Sequence, residues 1–199
     1  MQIRIKDIDL SEPYSEFVRR LNEAIDNSQQ NVEAMCISSF NKDTGEVDSR
    51  YVNLKVIEKK QFIFFSNYLS PKAIQFRSFN KVAISIFWNS TNTQIRMQGE
   101  IKKYSDNENN AYFKERDIRK NALAISSQQS EKIDSYNSVL ENYKKTLSQN
   151  DLTIRPKYWG GYCFQPYKFE FWTGEKNRLN KRIRYYLENK TWKSDLLQP

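Results

Sequence analysis

The chain of 199 residues contains no histidine. Imidazole is the side chain best suited to proton transfer near neutral pH and is the commonest protein ligand of metals, so haem binding and acid–base catalysis through histidine are both excluded. The two cysteines, Cys36 and Cys163, are far apart in the sequence and fit no metal-binding spacing. We therefore expect two reduced thiols in apolar surroundings and no metal site.

Glycine is also scarce, and the five glycines of the chain cannot form the G-x-G-x-x-G or P-loop patterns that bind phosphate through backbone N–H groups. The excess of 32 Lys and Arg over 24 Asp and Glu gives a net charge of +8, which indicates an anionic partner. The basic residues are interspersed with acids and form no nucleic-acid-binding motif. We therefore expect no nucleic acid, but a phosphorylated small molecule held by Arg, Lys and hydroxyl side chains.

No apolar run approaches the roughly 18 residues of a membrane span, and the start "MQIRIKDIDLSEP" lacks the apolar region of a signal peptide. We expect a cytoplasmic protein that does not interact with membranes. At this length a single domain, residues 1–199, is expected.

A mainly β fold with flanking helices is predicted. A first helix covers about residues 12–26, where Phe17, Leu21 and Ala24 recur at helical spacing. Short β-branched and aromatic runs then predict an antiparallel meander that closes as a barrel, with hairpin turns at 41–46 and 58–60. The runs are "VEAMCISSF", "RYVNLKVI", "QFIFFS", "KVAISIFW" and "TQIRMQGEIKKY", and "GGYCFQPYKFEFW", "RLNKRIRYYL" and "TWKSDLL" predict further strands at the end of the chain.

Three more helices are predicted between these strands. Ser70 and Pro71 indicate the N-cap and first residue of a short helix. "SDNE" at 105–108 has the form of a capping box and begins a helix through "NAYFKER". Apolar residues at helical spacing predict a long helix over about 131–148.

The stretch "EFWTGEKNRLNKR" combines an indole with several cations. If 178–186 is a strand, its two-residue period places four side chains on one face: Arg178, Asn180, Arg182 and Arg184. Such a strip is typical of a solvated edge strand. Beside Trp172 it also suits a planar anionic ligand, such as flavin mononucleotide (FMN) or pyridoxal phosphate. Both interpretations stay open at this point.

This stretch resembles the carboxy-terminal signature EFWQG…RLHDR of the pyridoxine (pyridoxamine) 5'-phosphate oxidase family. Six other segments are similar to family motifs in the same order, and seven motifs with the family's spacing are far more specific than any one of them. The six are "SRYVNLK", "FFSNYLSPK", "NTQIRMQG", "YFKERD", "SSQQS" and "YWGGY".

The resemblance implies an FMN-binding split β-barrel that forms a homodimer, with FMN in clefts between the subunits. It also implies an oxidase that converts pyridoxamine or pyridoxine 5'-phosphate to pyridoxal 5'-phosphate, with O2 as electron acceptor and H2O2 as product. The substrate C4' gives a hydride to flavin N5 in this chemistry. Because the cofactor carries the difficult step, no histidine is needed.

Family roles transfer to this chain position by position. The expected FMN-binding residues are Arg50, Lys55, Phe65, Ser66, Lys72, Gln94, Gln129, Ser130, Trp172 and Arg182. The expected substrate-binding residues are Lys55, Tyr112, Arg116, Lys120, Arg178 and Asn180, of which Arg178 and Asn180 are the candidate catalytic residues.

Simpler interpretations exist for several of these residues. Tyr112 and Arg116 fit an i, i+4 pair on a helix surface, and Lys55 fits a solvated strand lysine. The pair 129–130 fits a cap of the long helix, and Trp172 fits the core.

The chain departs from the family pattern at four positions, and from its short amino terminus we expect no counterpart of the family's basic lid segment. Asn180 and Lys181 stand where the family has His and Asp, Pro71 replaces an arginine, and Lys120 replaces a serine near the substrate phosphate. Since these changes concern ligands, two alternatives remain: a related FMN oxidase of another small ring compound, as in the phenazine-biosynthesis branch, and a flavin-binding protein without turnover.

Overall fold

The computed structural model describes residues 3–199, and ten strands in this part of the chain form one sheet. The strands are β1 Arg4–Lys6, β2 Ala34–Phe40, β3 Val47–Asn53, β4 Val56–Glu58, β5 Gln61–Asn67, β6 Lys81–Trp88, β7 Thr93–Lys103, β8 Trp159–Thr173, β9 Lys181–Glu188 and β10 Thr191–Leu197. The helices are α1 Tyr14–Asp26, α2 Pro71–Ser78, α3 Asp106–Glu115, α4 Ile118–Ser126 and α5 Tyr136–Gln149, and a 3₁₀ turn covers Asn89–Thr91.

The sheet curls into a half-barrel. Its main path runs β1-β4-β5-β8-β7-β6-β2-β3, with β9 and β10 branching from β8. Strand β3 ends this path, and β4 lies next to its other end, yet only Leu54 and Lys55 separate the two strands along the chain. Because this short link joins opposite ends of the path, the sheet has to bend back on itself. The predicted barrel-like β fold is confirmed, but a simple meander is wrong, since β8 enters between β5 and β7.

Helix α1 covers the interior of the curl with the residues that its apolar spacing predicts. Phe17, Leu21 and Ala24 are buried, together with Tyr14. The Phe17 ring lies edge-on to Phe62, with 4.8 Å between centroids, and the Tyr14 ring lies 5.4 Å from Phe169. Edge-to-face packing at these distances stabilises an aromatic core.

The later helices differ in part from prediction. Ser105 caps α3 as expected by accepting a hydrogen bond from the backbone N of Glu108, whereas Ser70 precedes α2 without a side-chain cap. Helix α5 begins at Tyr136, five residues later than predicted, because Ser135 caps it there. Helix α4 is additional to the prediction. In the described part of the chain, no helix has the length and apolarity needed to cross a membrane.

A second apolar cluster joins the sheet to α3 and positions the site described below. It contains Val56, Ile63, Tyr112, Phe113, Trp159 and Cys163. Cys163 is buried and Cys36 partly buried, and both thiols are free, as the sequence predicts. Burial raises the pKa of the Cys163 thiol to about 12, so this sulfur stays protonated and unreactive.

Candidate active site

A cavity of about 320 Å³ opens beside the link between β3 and β4. Eight of the expected site residues meet at its wall: Lys55, Phe65, Ser66, Lys72, Tyr112, Arg116, Lys120 and Gln129. Tyr51, Val52, Asn53 and Trp159 complete the lining. The structure therefore brings together residues that come from four separate motifs of the sequence.

The cavity is strongly cationic. Three lysines and one arginine line it, and none of its lining residues within the described chain is Asp or Glu. The Lys72 side chain donates a hydrogen bond to Ser70 Oγ at 3.1 Å. Burial, together with a smaller effect of the nearby Arg50 guanidinium, lowers the pKa of Lys72 to about 8. A cavity wall with several buried cations favours an anionic ligand.

Lys55 has a different environment from Lys72. Its Nζ lies 3.8 Å from Glu33 Oε1, and the lysine side chain is 15% exposed. Burial lowers the pKa of Lys55, and the positive charges of Lys120 and Arg116 lower it as well. The carboxylate of Glu33 acts in the opposite direction and raises this pKa. The interpretation of Lys55 as a solvated lysine is therefore wrong.

Arg50 on β3 holds α2 beside the cavity. Its guanidinium donates to Ser39 Oγ at 2.6 Å and to Gln75 Oε1 at 3.0 Å, and it pairs with Asp48 at 2.5 Å. Gln75 is on α2, one turn after Lys72. Arg50 thus fixes the position of Lys72 and adds positive charge behind it.

Three aromatic rings form one wall of the cavity. Phe65 stacks on Tyr112 with 3.7 Å between centroids and on Trp159 with 5.2 Å, both at 11° between planes. The Arg116 guanidinium lies 4.9 Å from the centre of the Trp159 ring. Tyr112 is 9% exposed, so it is not half of a surface pair with Arg116. The wall combines flat apolar surface with a cation, which suits an aromatic anion.

The segment between α4 and α5 closes the cavity on another side. Ser66 Oγ lies within hydrogen-bond distance, 3.3 Å, of Gln129 Oε1. Gln129 also lines an adjoining cavity of about 780 Å³ that contains Ser130. Since α5 is capped at Ser135, the interpretation of residues 129–130 as its cap is wrong.

Three of the remaining expected residues, Gln94, Trp172 and Arg182, form a second group on the outer face of β7, β8 and β9. Gln94 lies opposite Trp172, and Trp172 lies opposite Arg182, so the three side chains form a row across the strands. Trp172 is partly exposed, which excludes the interpretation as core. Arg182 pairs with the buried Glu170 at 2.7 Å, and Arg96 contacts the same carboxylate at 3.3 Å. Trp172 therefore presents an open ring beside fixed charges.

Arg178 and Asn180 lie in the turn before β9, so the prediction of one strand over 178–186 is wrong. Arg178 has a positive φ of 63°, and its N–H donates to the carbonyl of Glu175 at 3.0 Å. Asn180 Oδ1 accepts a hydrogen bond from the Glu175 N–H at 3.0 Å, and Asn177 Oδ1 bonds to Leu179 N–H. Asparagine side chains that bond to nearby backbone favour a turn over a strand. Arg178 is exposed at this turn.

The two groups lie at opposite ends of β8. Trp159 begins this strand beside the cavity, and Trp172 is next to its last residue. The thirteen steps between them correspond to about 40 Å along an extended strand. A mononucleotide is much shorter than that, so one bound molecule cannot contact both groups along a single strand of one subunit.

Three residues in or beside the cavity were not among the expected site residues. Trp159 belongs to the "YWGGY" motif, which was a signal of the family but not of a role for its indole. Asn53 is a polar residue at the end of β3, a strand that was predicted from its β-branched and aromatic residues, so the pattern gave Asn53 no role. Glu33 carried no signal, since only the pairing of distant segments places it beside Lys55.

The curled sheet belongs to the FMN-binding split-barrel class of folds. A solved structure of PhzG from Burkholderia lata in complex with tetrahydrophenazine-1-carboxylic acid matches with a TM-score of 0.90, at 25% identity, over 95% of this chain and 93% of that one. An FMN-binding protein from Nostoc punctiforme related to pyridoxamine 5'-phosphate oxidase matches with a TM-score of 0.79 at 14% identity, covering 95% of this chain and 98% of its own.

The chain belongs to the pyridoxine/pyridoxamine 5'-phosphate oxidase family of FMN-dependent oxidoreductases. Residues 21–145 match the family model described as pyridoxamine 5'-phosphate oxidase, and 159–199 match the pyridoxine 5'-phosphate oxidase C-terminal dimerisation region. The pyridoxine/pyridoxamine 5'-phosphate oxidase of Legionella pneumophila is 35% identical over 95% of this chain and 88% of its own length. That of Flavobacterium psychrophilum is 39% identical over 85% and 80%.

Replacing Lys72 with Met tests whether this buried cation serves a ligand at the expense of stability. The lowered pKa means that the unfolded chain holds the Lys72 proton more tightly than the folded one between about pH 8 and the ordinary value of 10.5. The penalty on folding is therefore complete below about pH 8 and fades as the pH rises towards 10.5. We expect Lys72→Met to stabilise the ligand-free protein by about 1–3 kcal/mol at pH 7, and to lower FMN affinity by about tenfold or more.

Urea unfolding at pH 7 and pH 10, together with FMN titration, measures both effects. Lys42→Met, in the exposed 41–46 turn, is the matched control and should change neither. A Lys72→Met variant that loses stability and keeps its FMN affinity would contradict the prediction that Lys72 binds FMN.

Proposed function

We propose that the protein is an FMN-dependent oxidase that converts pyridoxamine 5'-phosphate or pyridoxine 5'-phosphate to pyridoxal 5'-phosphate, with O2 as electron acceptor and H2O2 as product. The observation that carries the proposal is a cavity lined by four cations and no acid, beside a wall of nearly parallel aromatic rings, within the described chain. Cations suit the phosphate and flat rings suit the heteroaromatic part of such ligands. The names of the curated relatives support this choice of substrate.

The donor set fits FMN as the cofactor. Lys72 would hold its phosphate, with the positive charge of Arg50 behind it, Ser66 and Gln129 would supply hydrogen bonds, and Phe65 would line the cleft. Bound FMN supplies the hydride acceptor and the reaction with O2. The residues of this chain then have to bind the substrate, orient it and exclude water. Arg, Lys, Tyr and Asn can do this without an imidazole.

A homodimer would complete the cleft. Trp172, Arg178, Asn180 and Arg182 all lie in the segment that matches the family's dimerisation region, about 40 Å along β8 from the cavity. In a symmetric dimer the row on one subunit can face the cavity of its partner, which gives two equivalent sites. Gln94, Trp172 and Arg182 would then contact FMN from the partner side, and Arg178 and Asn180 would contact the substrate.

The substrate would lie at the other end of the cavity from Lys72. Lys55, Tyr112, Arg116 and Lys120 would bind its phosphate. Tyr112 is a neutral donor there, because burial raises the pKa of its hydroxyl. Arg178 and Asn180 would orient the ring, with Asn180 giving a neutral hydrogen bond where the family has an imidazole.

A second candidate is oxidation of another small ring compound by the same cavity. The match to PhzG, solved with tetrahydrophenazine-1-carboxylic acid, favours it. The departure at Asn180 points the same way, since it concerns the substrate. Against it, Lys120 adds a fourth cation to the cavity, which favours a doubly charged phosphate over a singly charged carboxylate.

The function is tested by anaerobic mixing of the FMN-loaded protein with pyridoxamine 5'-phosphate. We expect the flavin absorption band to bleach, and admission of air to restore it with release of one H2O2 per flavin. An unbleached flavin with this substrate and with pyridoxine 5'-phosphate would reject the proposed function. Bleaching by a reduced phenazine carboxylate alone would establish the second candidate.

The shared cleft is tested by mixing subunits in one dimer. Lys72→Met alters the cavity and Arg182→Leu alters the row, so each homodimer should bind FMN weakly at both sites. A heterodimer, purified through two different tags, has one cleft with both changes and one with neither. We expect it to bind about one FMN per dimer at the affinity of the parent. Weak binding at both of its sites would show that cavity and row do not share a cleft.

The role of Asn180 is tested by restoring the family's residue. Asn180→His can still accept the hydrogen bond from Glu175 N–H, because imidazole also has an acceptor nitrogen. A donor that can carry charge binds an anionic substrate better than an amide does, so we expect KM to fall a few-fold, about 1 kcal/mol, with little change in kcat.

Asn177→His, in the same turn, is the control and should leave KM unchanged, whereas Arg178→Ala should be much less active than the parent. Steady-state release of H2O2 from the four proteins gives the comparison. A higher KM in Asn180→His would mean that the pocket is built around the amide.

A further inference from the structure

We propose that Glu33 is a positioning residue for the anion-binding end of the cavity, where it keeps Lys55 charged and holds its ammonium at the cavity wall. This rests on the proposed function only in taking the cavity as the place where the anionic group of the substrate binds. Glu33 does not line the cavity and lies behind Lys55. It would act on the ligand through Lys55 and without contacting it.

The backbone fixes the two residues relative to each other. The carbonyl of Glu33 accepts a hydrogen bond from Leu54 N–H at 2.8 Å, and Lys55 N–H donates to the carbonyl of Ile63 at 2.8 Å. The Glu33 side chain is 18% exposed and that of Lys55 15%. Little water therefore screens the pair, and its charges interact more strongly than a surface pair does.

The length of the contact allows Lys55 to serve two partners. Its Nζ is 3.8 Å from Glu33 Oε1, beyond the range of a strong charge-assisted hydrogen bond. An ammonium at that distance can move towards an incoming anion and still be stabilised by the carboxylate behind it. Glu33 thus supports the charge of Lys55 without withdrawing it from the cavity.

The other charged groups around Lys55 oppose its protonation. Arg116 at the end of α3 and Lys120 on α4 both lower the pKa of Lys55, as does burial, and Lys72 adds a further cation at the cavity wall. Tyr112 is neutral there. Glu33 is the carboxylate that raises the pKa of Lys55 against these effects. Without it, Lys55 loses its proton at a lower pH, and anion binding fails at a lower pH with it.

Removal of Glu33 has a second effect with the opposite sign. Its negative charge lies near the bound anion and repels it. At a pH where Lys55 is charged in both proteins, a variant without this carboxylate therefore binds an anion more tightly. The ratio of affinities between variant and parent should consequently change from above one to below one as the pH rises.

The experiment measures sulfate binding to the full chain in saturating FMN, by calorimetric titration from about pH 6 to about pH 10. Sulfate keeps its double charge throughout, so any pH dependence comes from the protein. Lys72, with its pKa of about 8, titrates in the parent and in the variant alike, and its contribution cancels in their ratio.

We expect Glu33→Gln to bind sulfate about two- to fivefold more tightly than the parent at pH 6.5 and about two- to fivefold more weakly at pH 9.5. Glu33→Asp, which keeps the charge, should restore part of the parent profile. Glu46→Gln, in the exposed 41–46 turn, removes one acid elsewhere and should give a ratio near one at every pH. In a Lys55→Met background, Glu33→Gln should no longer produce a crossing.

A ratio that stays constant with pH would overturn the proposal, since it would mean that Glu33 acts through simple repulsion or through the fold. A parent that binds no sulfate would overturn it too. The proposed function fails separately: a crossing in sulfate binding without flavin bleaching by pyridoxamine 5'-phosphate would reject that substrate and leave the role of Glu33 intact.

Discussion

The link between β3 and β4 is the constraint on which the rest of the site depends. Leu54 is buried in the core and Lys55 faces the cavity, so two consecutive residues tie the curl of the sheet to the position of a cation. Their N–H groups bond to segments on either side, at Glu33 and Ile63. Any change that opened the curl would also separate Lys55 from Lys72 and from the aromatic wall.

The cavity concentrates cations at a cost to folding, which explains the acidic residues that lie around it. Burial disfavours the charge of Lys72 and of Lys55, as their lowered pKa values show. Asp48 beside Arg50 and Glu33 beside Lys55 each offset part of that cost from outside the lining. The acids thus stand behind the cations, and the cavity itself is left to the anion of a ligand.

The sequence predicted the fold well where local signals and motif resemblance agreed. Phe17, Leu21 and Ala24 give α1 its buried face, and the capping box at Ser105 begins α3. The order of strands in the sheet could not be predicted from the sequence, because the insertion of β8 between β5 and β7 is a long-range pairing with no local signal. Alternation over 178–186 predicts a strand that includes Arg178 and Asn180, but the side chains of Asn177 and Asn180 bond to nearby backbone and favour a turn there.

The residues of the candidate site also fall into two kinds: those that motif resemblance predicts and those that only long-range packing brings into place. Motif resemblance collected the eight residues of the cavity, although neither spacing nor composition shows that they meet. Glu33 lies outside every motif, and its relation to Lys55 exists only once β2 and β3 pair and the link is formed. Residues that contact a ligand can be recognised by their resemblance to those of relatives. Residues that set the charge of such contacts, as Glu33 does for Lys55, depend on the packing of this particular chain.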